Sequence, residues 1–127
     1  MKQIDVLLAD DEKDFVEVLS RRMRTRGFKV NIAFDGQEAI EYIKERIPDV
    51  LLLDMKMPRK NGIDVLRWLN TKKIELPALV LTGYSSVTEE EEAWKLGVFD
   101  ILRKPPEMDI LSKAVKEAYI KKGTVRK

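Results

Sequence analysis

Short runs rich in valine, leucine and isoleucine alternate along the chain with longer stretches whose apolar residues return every three or four positions. The runs are Ile4–Ala9, Val30–Ala33, Val50–Leu53, Ala78–Leu81 and Val98–Leu102. A strand apolar at successive positions is covered on both faces, as in a parallel sheet under helices. The stretches between carry helical stripes. Phe15, Val18, Leu19 and Met23 form the first, and Ala39, Ile40, Ile43 and Ile47 the second. Ile63, Leu66 and Leu69 form another, and Ile110, Leu111, Ala114, Val115 and Ala118 the last. Gly27 and Gly97 stand where the first and fourth helices should end, and Pro48 and Pro77 just before the third and fourth strands.

The order is strand then helix, five times over. It predicts an α/β fold, a single doubly wound sheet of five parallel strands with right-handed crossovers. Such sheets place their sites at the carboxyl ends of the strands, near the topological switch point. One domain is expected over residues 1–121, with the basic end, 122–127, as a frayed tail. No repeat, linker or second domain is legible, which leaves a stand-alone protein and an excised domain both open. The fourth helix, TEEEEAWKLG, is unusual: four consecutive glutamates, at about 100° per residue, go round the whole helix. It is expected to be weakly packed, anchored mainly by Trp94.

Composition narrows the chemistry by subtraction. The 127 residues include no cysteine and no histidine. That excludes disulfides, thiolate chemistry, histidine-held metals and any Ser-His or Cys-His pair. A net charge of +2 with both signs interspersed gives no footprint for nucleic acid or for an anionic membrane. The opening MKQIDVLLAD has no long apolar core of a signal peptide, and the apolar runs are too short to span a bilayer. A soluble, cytoplasmic protein is the expectation.

The strand ends hold what chemistry there is. The first strand leads into Asp10 and Asp11, the third ends at Asp54, the fourth at Thr82, and the fifth is followed by Lys104 and Pro105. Each has a plain explanation alone: Asp10, Asp11 and Glu12 as the acidic start of a helix, Thr82 as a turn residue, Lys104 as a surface lysine. Together they put three carboxylates, a hydroxyl and an amine on one rim. Crowded carboxylates need a cation, and hard oxygen ligands favour Mg²⁺, with Mn²⁺ able to substitute. Such a set suits phosphoryl transfer to a carboxylate. Replacing Asp11 with Asn is expected to relieve the repulsion and raise metal-free stability.

With these motifs the chain resembles the receiver domain of two-component response regulators, the family that includes the chemotaxis regulator. The resemblance rests on "LLADDE", "LLLDMKMPRKNG", "LVLTGYSS" and "GVFDILRKPP" and on their spacing, from about Ile4 to about Lys121. It implies the flavodoxin-like strand order 2-1-3-4-5. It implies Asp54 as phosphoacceptor, Asp11 as a direct Mg²⁺ ligand, Asp10 as a ligand directly or through water, and the Lys56 backbone carbonyl as another. Thr82 and Lys104 would contact the phosphoryl oxygens, and Lys104–Pro105 would be cis. The implied function is a phosphorylation-dependent switch, phosphorylated by a sensor histidine kinase or phosphotransfer protein docking near the first helix and the loop after the fifth strand. Its output face would be the fourth helix, fifth strand and fifth helix, acting on a protein partner or an effector domain. It would slowly hydrolyse its own aspartyl phosphate and turn over no external substrate. It would be a monomer that dimerises, if at all, once phosphorylated, with Glu89–Glu92 opposing a symmetric approach.

The chain departs from the family pattern at Ile101, where a switch aromatic is usual. Phe99, of the same strand parity, and Tyr84 are the candidate substitutes. Lys56 and Tyr84, two residues beyond Asp54 and Thr82, are expected to control water access to the phosphorylated site. The competing readings are a constitutive pseudo-receiver that only binds protein, an aspartyl-phosphate phosphatase and a flavodoxin-like cofactor binder. The phosphatase would need an aspartate at Lys56, and the cofactor binder a Gly- or Ser-rich loop in place of "ADDEKD".

Overall fold

The structure, a computed structural model, describes the backbone of residues 2–125 and the side chains of residues 2–121. Five strands and five helices alternate: β1 (Asp5–Ala9), α1 (Lys13–Thr25), β2 (Lys29–Ala33), α2 (Gly36–Glu45), β3 (Val50–Asp54), α3 (Gly62–Thr71), β4 (Ala78–Thr82), α4 (Val87–Lys95), β5 (Asp100–Arg103) and α5 (Met108–Val125). The sheet is parallel throughout, in the order β2-β1-β3-β4-β5. This is the flavodoxin-like doubly wound order.

Strand alternation splits the core into two layers. Leu7, Ala9, Leu51, Leu53 and Val80 face α2 and α3, with Ala93 the contribution of α4. Val6, Leu8, Leu52, Leu79 and Leu81 face α1 and α5. All residues of β1, β3 and β4 are buried, as their unbroken apolar runs require. Each such leucine contributes about 1.5–3 kcal/mol by leaving water, so these three strands are the rigid frame.

Tertiary packing moves several residues from their expected places. In α1, Val16 is buried and Val18 is 47% exposed, so the buried stripe runs through Val16, Leu19 and Met23. Ile47 lies past the end of α2 and Ile110 on the outer side of α5, and both are exposed. The fifth strand starts at Asp100, two residues later than the apolar run suggests, because Val98 and Phe99 still belong to the exit from α4. The α4 exit follows the expected glycine: Gly97 has φ +91°, and the Val98 N–H donates to the Ala93 carbonyl. The expected tail falls where α5 continues to Val125, while Arg126 and Lys127 lie outside the described residues.

Helix α4 is attached differently from the others. Only Ala93 is buried, while Trp94, the expected anchor, is 49% exposed. The anchor is the small residue whose phase faces the core layer shared with α2 and α3, not the largest apolar one. Ser86 and Glu89 form a reciprocal capping box that starts the helix. Three of the four glutamates then meet cations on neighbouring elements: Glu89 with Lys56 at 3.7 Å, Glu90 with Arg103 at 2.8 Å, and Glu92 with Arg67. The acidic run is thus largely neutralised.

Candidate functional site at the carboxyl ends of the strands

Register decides which residues meet. Ala9 pairs with Leu53, Asp54 with Leu81, and Thr82 with Arg103. The last residues of three central strands therefore end level, and whatever follows them shares one rim. Asp10, Asp54 and Thr82 are buried there. Asp10 does not cap α1 in the usual way. Its Oδ1 accepts the Glu12 N–H at 2.9 Å, and Glu12 stands at the N-cap position without a side-chain cap bond.

Lys104 closes the rim from the β5 side, its side chain only 9% exposed. Its backbone N–H donates to the Thr82 carbonyl, and the Lys104–Pro105 peptide is cis. The ammonium lies 2.6 Å from Asp10 Oδ2, 2.7 Å from Glu12 Oε1 and 3.4 Å from Asp54 Oδ2. The Phe15 ring covers it, its centroid 4.7 Å away. Carboxylate oxygens of Asp10, Glu12 and Asp54 come within 4.8 Å of one another.

Burial pushes the Asp54 carboxyl up to about 6, helped by the charge of Asp10 and opposed by Lys104. Burial also raises Asp10, despite hydrogen bonds from Lys104 and the Glu12 N–H. Burial acts to lower Lys104, but its bonds to Asp10 and Glu12 outweigh it and leave the ammonium raised. Thr82 Oγ1 is buried with no hydrogen-bond partner among the described residues. An unsatisfied buried hydroxyl costs about 1–3 kcal/mol, so an acceptor oxygen placed beside it would be bound favourably. One ammonium among three carboxylates and an idle donor beside them fit a divalent cation with a phosphoryl-like anion.

Residue by residue, the structure brings together Asp10, Asp54, Thr82 and Lys104. Asp11 stands apart from the cluster: it is exposed and lines an adjoining open cleft with Lys56, Met57, Pro58, Asn61 and Glu89. The stability effect expected of Asp11→Asn moves accordingly to the buried pair. Glu12 was missed, since an acidic first turn reads as dipole complement. The signal available was its spacing of two from Asp10, across a turn. Tyr84 is 78% exposed, with Lys56 Nζ 5.8 Å from its ring centroid. Ile101 packs in the α2–α3 layer, but Phe99 packs against the α1–α5 layer. Phe99 precedes the strand, so the parity argument that made it a substitute for Ile101 does not hold.

The sequence and the fold have many counterparts. Residues 6–116 match the family described as the response regulator receiver domain. This chain belongs to that family. The receiver domain is 35% identical over 117 residues to the transcriptional regulatory protein ZraR of Klebsiella oxytoca, covering 92% of this chain and 26% of that protein. It is 40% identical over 102 residues to the response regulator MprA of Mycobacterium ulcerans (strain Agy99), covering 80% and 44%. It thus spans about a quarter of the first relative and under half of the second. Among solved structures, the receiver domain of the Francisella response regulator 1452 matches with a TM-score of 0.84 at 33% identity, covering 91% of this chain and 96% of that one. FixJ-N matches with a TM-score of 0.85 at 29% identity, covering 94% and 95%. A receiver is a signalling domain and not a turnover enzyme on an external substrate. Among its described residues, no helix is long and apolar enough to cross a membrane.

Proposed function

We propose that this receiver is a phosphorylation-driven switch in which Asp54 accepts a phosphoryl group from the phosphohistidine of a kinase or phosphotransfer protein. The observation that carries this is the rim: a buried carboxylate at a strand end, an ammonium 3.4 Å from it and an unpartnered buried hydroxyl on the next strand. Asp54 titrates near 6, so at pH 7 it is mostly the carboxylate that can attack. Its oxygen forms a bond to phosphorus as the P–N bond of the donor breaks, the electron pair staying on the imidazole nitrogen. Lys104 neutralises one phosphoryl oxygen and Thr82 donates to another. Water later cleaves the acyl phosphate, releasing phosphate and the free carboxylate.

Asp10, Asp11, Asp54 and the Lys56 carbonyl would hold Mg²⁺, or Mn²⁺ in its place. When bound, the ion neutralises charge on the transferring group. Lys56 and the exposed Tyr84 ring flank the entrance and limit water access to the phosphorylated aspartate. The response passes to α4, β5 and α5, which contact an output protein or an effector domain, in the cytoplasm, with dimerisation reserved for the phosphorylated form. With Ile101 packed and Phe99 on the other layer, α4 itself is the element whose hold is weakest and the one that moves.

Intact mass after incubation with Mg²⁺ and a small-molecule phosphodonor tests this. One added phosphoryl group is expected in the wild type, and none in Asp54→Ala or without Mg²⁺. No adduct in the wild type, under conditions where an acyl phosphate survives, would overturn it.

A further inference from the structure

The loop from Met55 to Asn61 joins β3 to α3, and it is held by a residue for which the rim has no use. Arg59 has φ +64°, a left-handed conformation that glycine adopts freely and other residues do not. An arginine stands there with its guanidinium forked onto Asp35, Nε to Oδ2 at 2.8 Å and Nη2 to Oδ1 at 3.2 Å. Asp35 is fixed in turn. It is buried, and its Oδ1 accepts the Glu38 N–H at 2.8 Å to cap α2. One residue further on, the Gly36 N–H donates to the Lys60 carbonyl at 2.9 Å. A Cβ at Gly36 would lie 2.1 Å from that oxygen, so the loop backbone rests directly on the β2–α2 turn.

At its far end the loop is tied again, the Gly62 N–H donating to the Met55 carbonyl at 3.1 Å. Lys56 lies between the two ties. Its side chain reaches outward to Glu89 and its backbone N–H donates to the Asp54 carboxylate, so the direction of its carbonyl follows from the backbone, which the path of the loop carries. A small octahedral ion demands near-ideal ligand geometry. A carbonyl that is fixed beforehand loses no freedom on binding it. The Arg59 side chain is 57% exposed while the Asp35 side chain is 12% exposed, so this forked pair is open to solvent on the arginine side and adds only modestly to stability. That modest gain is offset by the left-handed conformation of Arg59, whereas the position of the loop depends on the pair directly.

We propose that Arg59 and Asp35 form a latch that positions the Lys56 carbonyl and so sets the Mg²⁺ affinity of the rim. The latch rests on the reading of that rim as a Mg²⁺ site. Arg59 is a positioning residue, acting through the loop and not on the ion. The test is a titration of MgCl₂ into the isotope-labelled full chain, followed by amide chemical shifts, for wild type, Arg59→Gly and Arg59→Lys. Urea midpoints and hydrogen exchange are measured alongside in EDTA. Arg59→Gly relieves the left-handed conformation but leaves Asp35 without its forked partner, so the two effects offset and its urea midpoint should move little. Its Kd for Mg²⁺ should rise about tenfold, the lower end for loss of a supporting partner, and the amides of residues 55–61 should exchange faster. Arg59→Lys keeps the charge but cannot fork, and its Kd should fall between the two. Equal Kd values in wild type and Arg59→Gly would overturn the latch and leave the Mg²⁺ site standing. Affinity lost only in step with the urea midpoint, in both variants, would also overturn it. A wild type that shows no Mg²⁺-dependent shifts would overturn the site and the latch together.

Discussion

Two groups of carboxylates in this domain are treated in opposite ways. Asp10 and Asp54 lie buried at the strand ends, and burial raises both, Asp54 to about 6. Glu89 and Glu90 lie in the first turn of α4, and hydrogen bonds hold both below the usual carboxylate range. For Glu89 the first of these is from the Ser86 N–H, and for Glu90 from the Ser85 hydroxyl and then Arg103. The side-chain chemistry is the same. What differs is access to water and the supply of cations. Three rim carboxylates share the Lys104 ammonium, whereas Glu89, Glu90 and Glu92 each have a cation of their own. The rim holds unrelieved electrostatic free energy that a ligand can release. The α4 glutamates hold little, and they fasten a helix that has one buried side chain.

The sharpest way to break that contrast is to remove a rim charge. In EDTA at pH 7.5, Asp54→Asn should stabilise the fold. A shift from 3.8 to about 6, at about 1.4 kcal/mol per unit, is on the order of 2–3 kcal/mol. Folded Asp54 keeps its proton to about pH 6, while the unfolded chain releases it near 3.8. Wild-type stability from this group is therefore full below about pH 4 and lost as pH rises to 6, so the gap between the two proteins should close at pH 4. Urea melts across that window measure it. Asp11→Asn, on an exposed residue outside the cluster, should change metal-free stability little. Equal gains in the two variants would erase the distinction between buried and exposed carboxylates.

A smaller effect is expected from the cation that the rim lacks. At ten times its Kd, Mg²⁺ should add about 1.4 kcal/mol to wild-type stability, and Asp10→Asn should lose most of that gain. The smallest effect belongs to α4. Glu89→Gln with Glu92→Gln should cost less than about 1 kcal/mol overall, yet speed amide exchange in α4 while leaving α3 unchanged. Raising salt to about 0.5 M should do the same to the wild type, since exposed pairs are screened and packed leucines are not. Exchange in α4 as slow as in α1, whatever the salt, would show that the helix is held by packing after all.

What the sequence disclosed follows the strength of its local signals. The frame was legible because β1, β3 and β4 are apolar without interruption, and only two-sided burial explains Leu51, Leu52 and Leu53 in a row. The rim was legible because the ends of β1, β3, β4 and β5, the strands that build it, are also breaks from apolar to polar. Helix phase was less so. Val16 and Val18 are equally apolar, and only the packing of α1 against β2 and α5 chooses Val16. Ala93 was passed over for Trp94 because size suggests an anchor, while the direction of α4 decides one. Phe99 misled because it lies just before β5, where the alternation of a strand does not govern which way a side chain points. Glu12 and Arg59 were invisible for another reason. Their partners, Lys104 and Asp35, lie 92 and 24 residues away in the chain, and no local pattern records a pairing of that kind.

The ammonium of Lys104 sits among the rim carboxylates as their built-in counter-ion. Many small domains built around a structural metal stay unfolded until it arrives. Here, on the function proposed above, scarcity of magnesium silences the domain without unfolding it, and resupply restores the response with no folding to repeat. The lysine is a placeholder, and it separates keeping the protein intact from letting it answer.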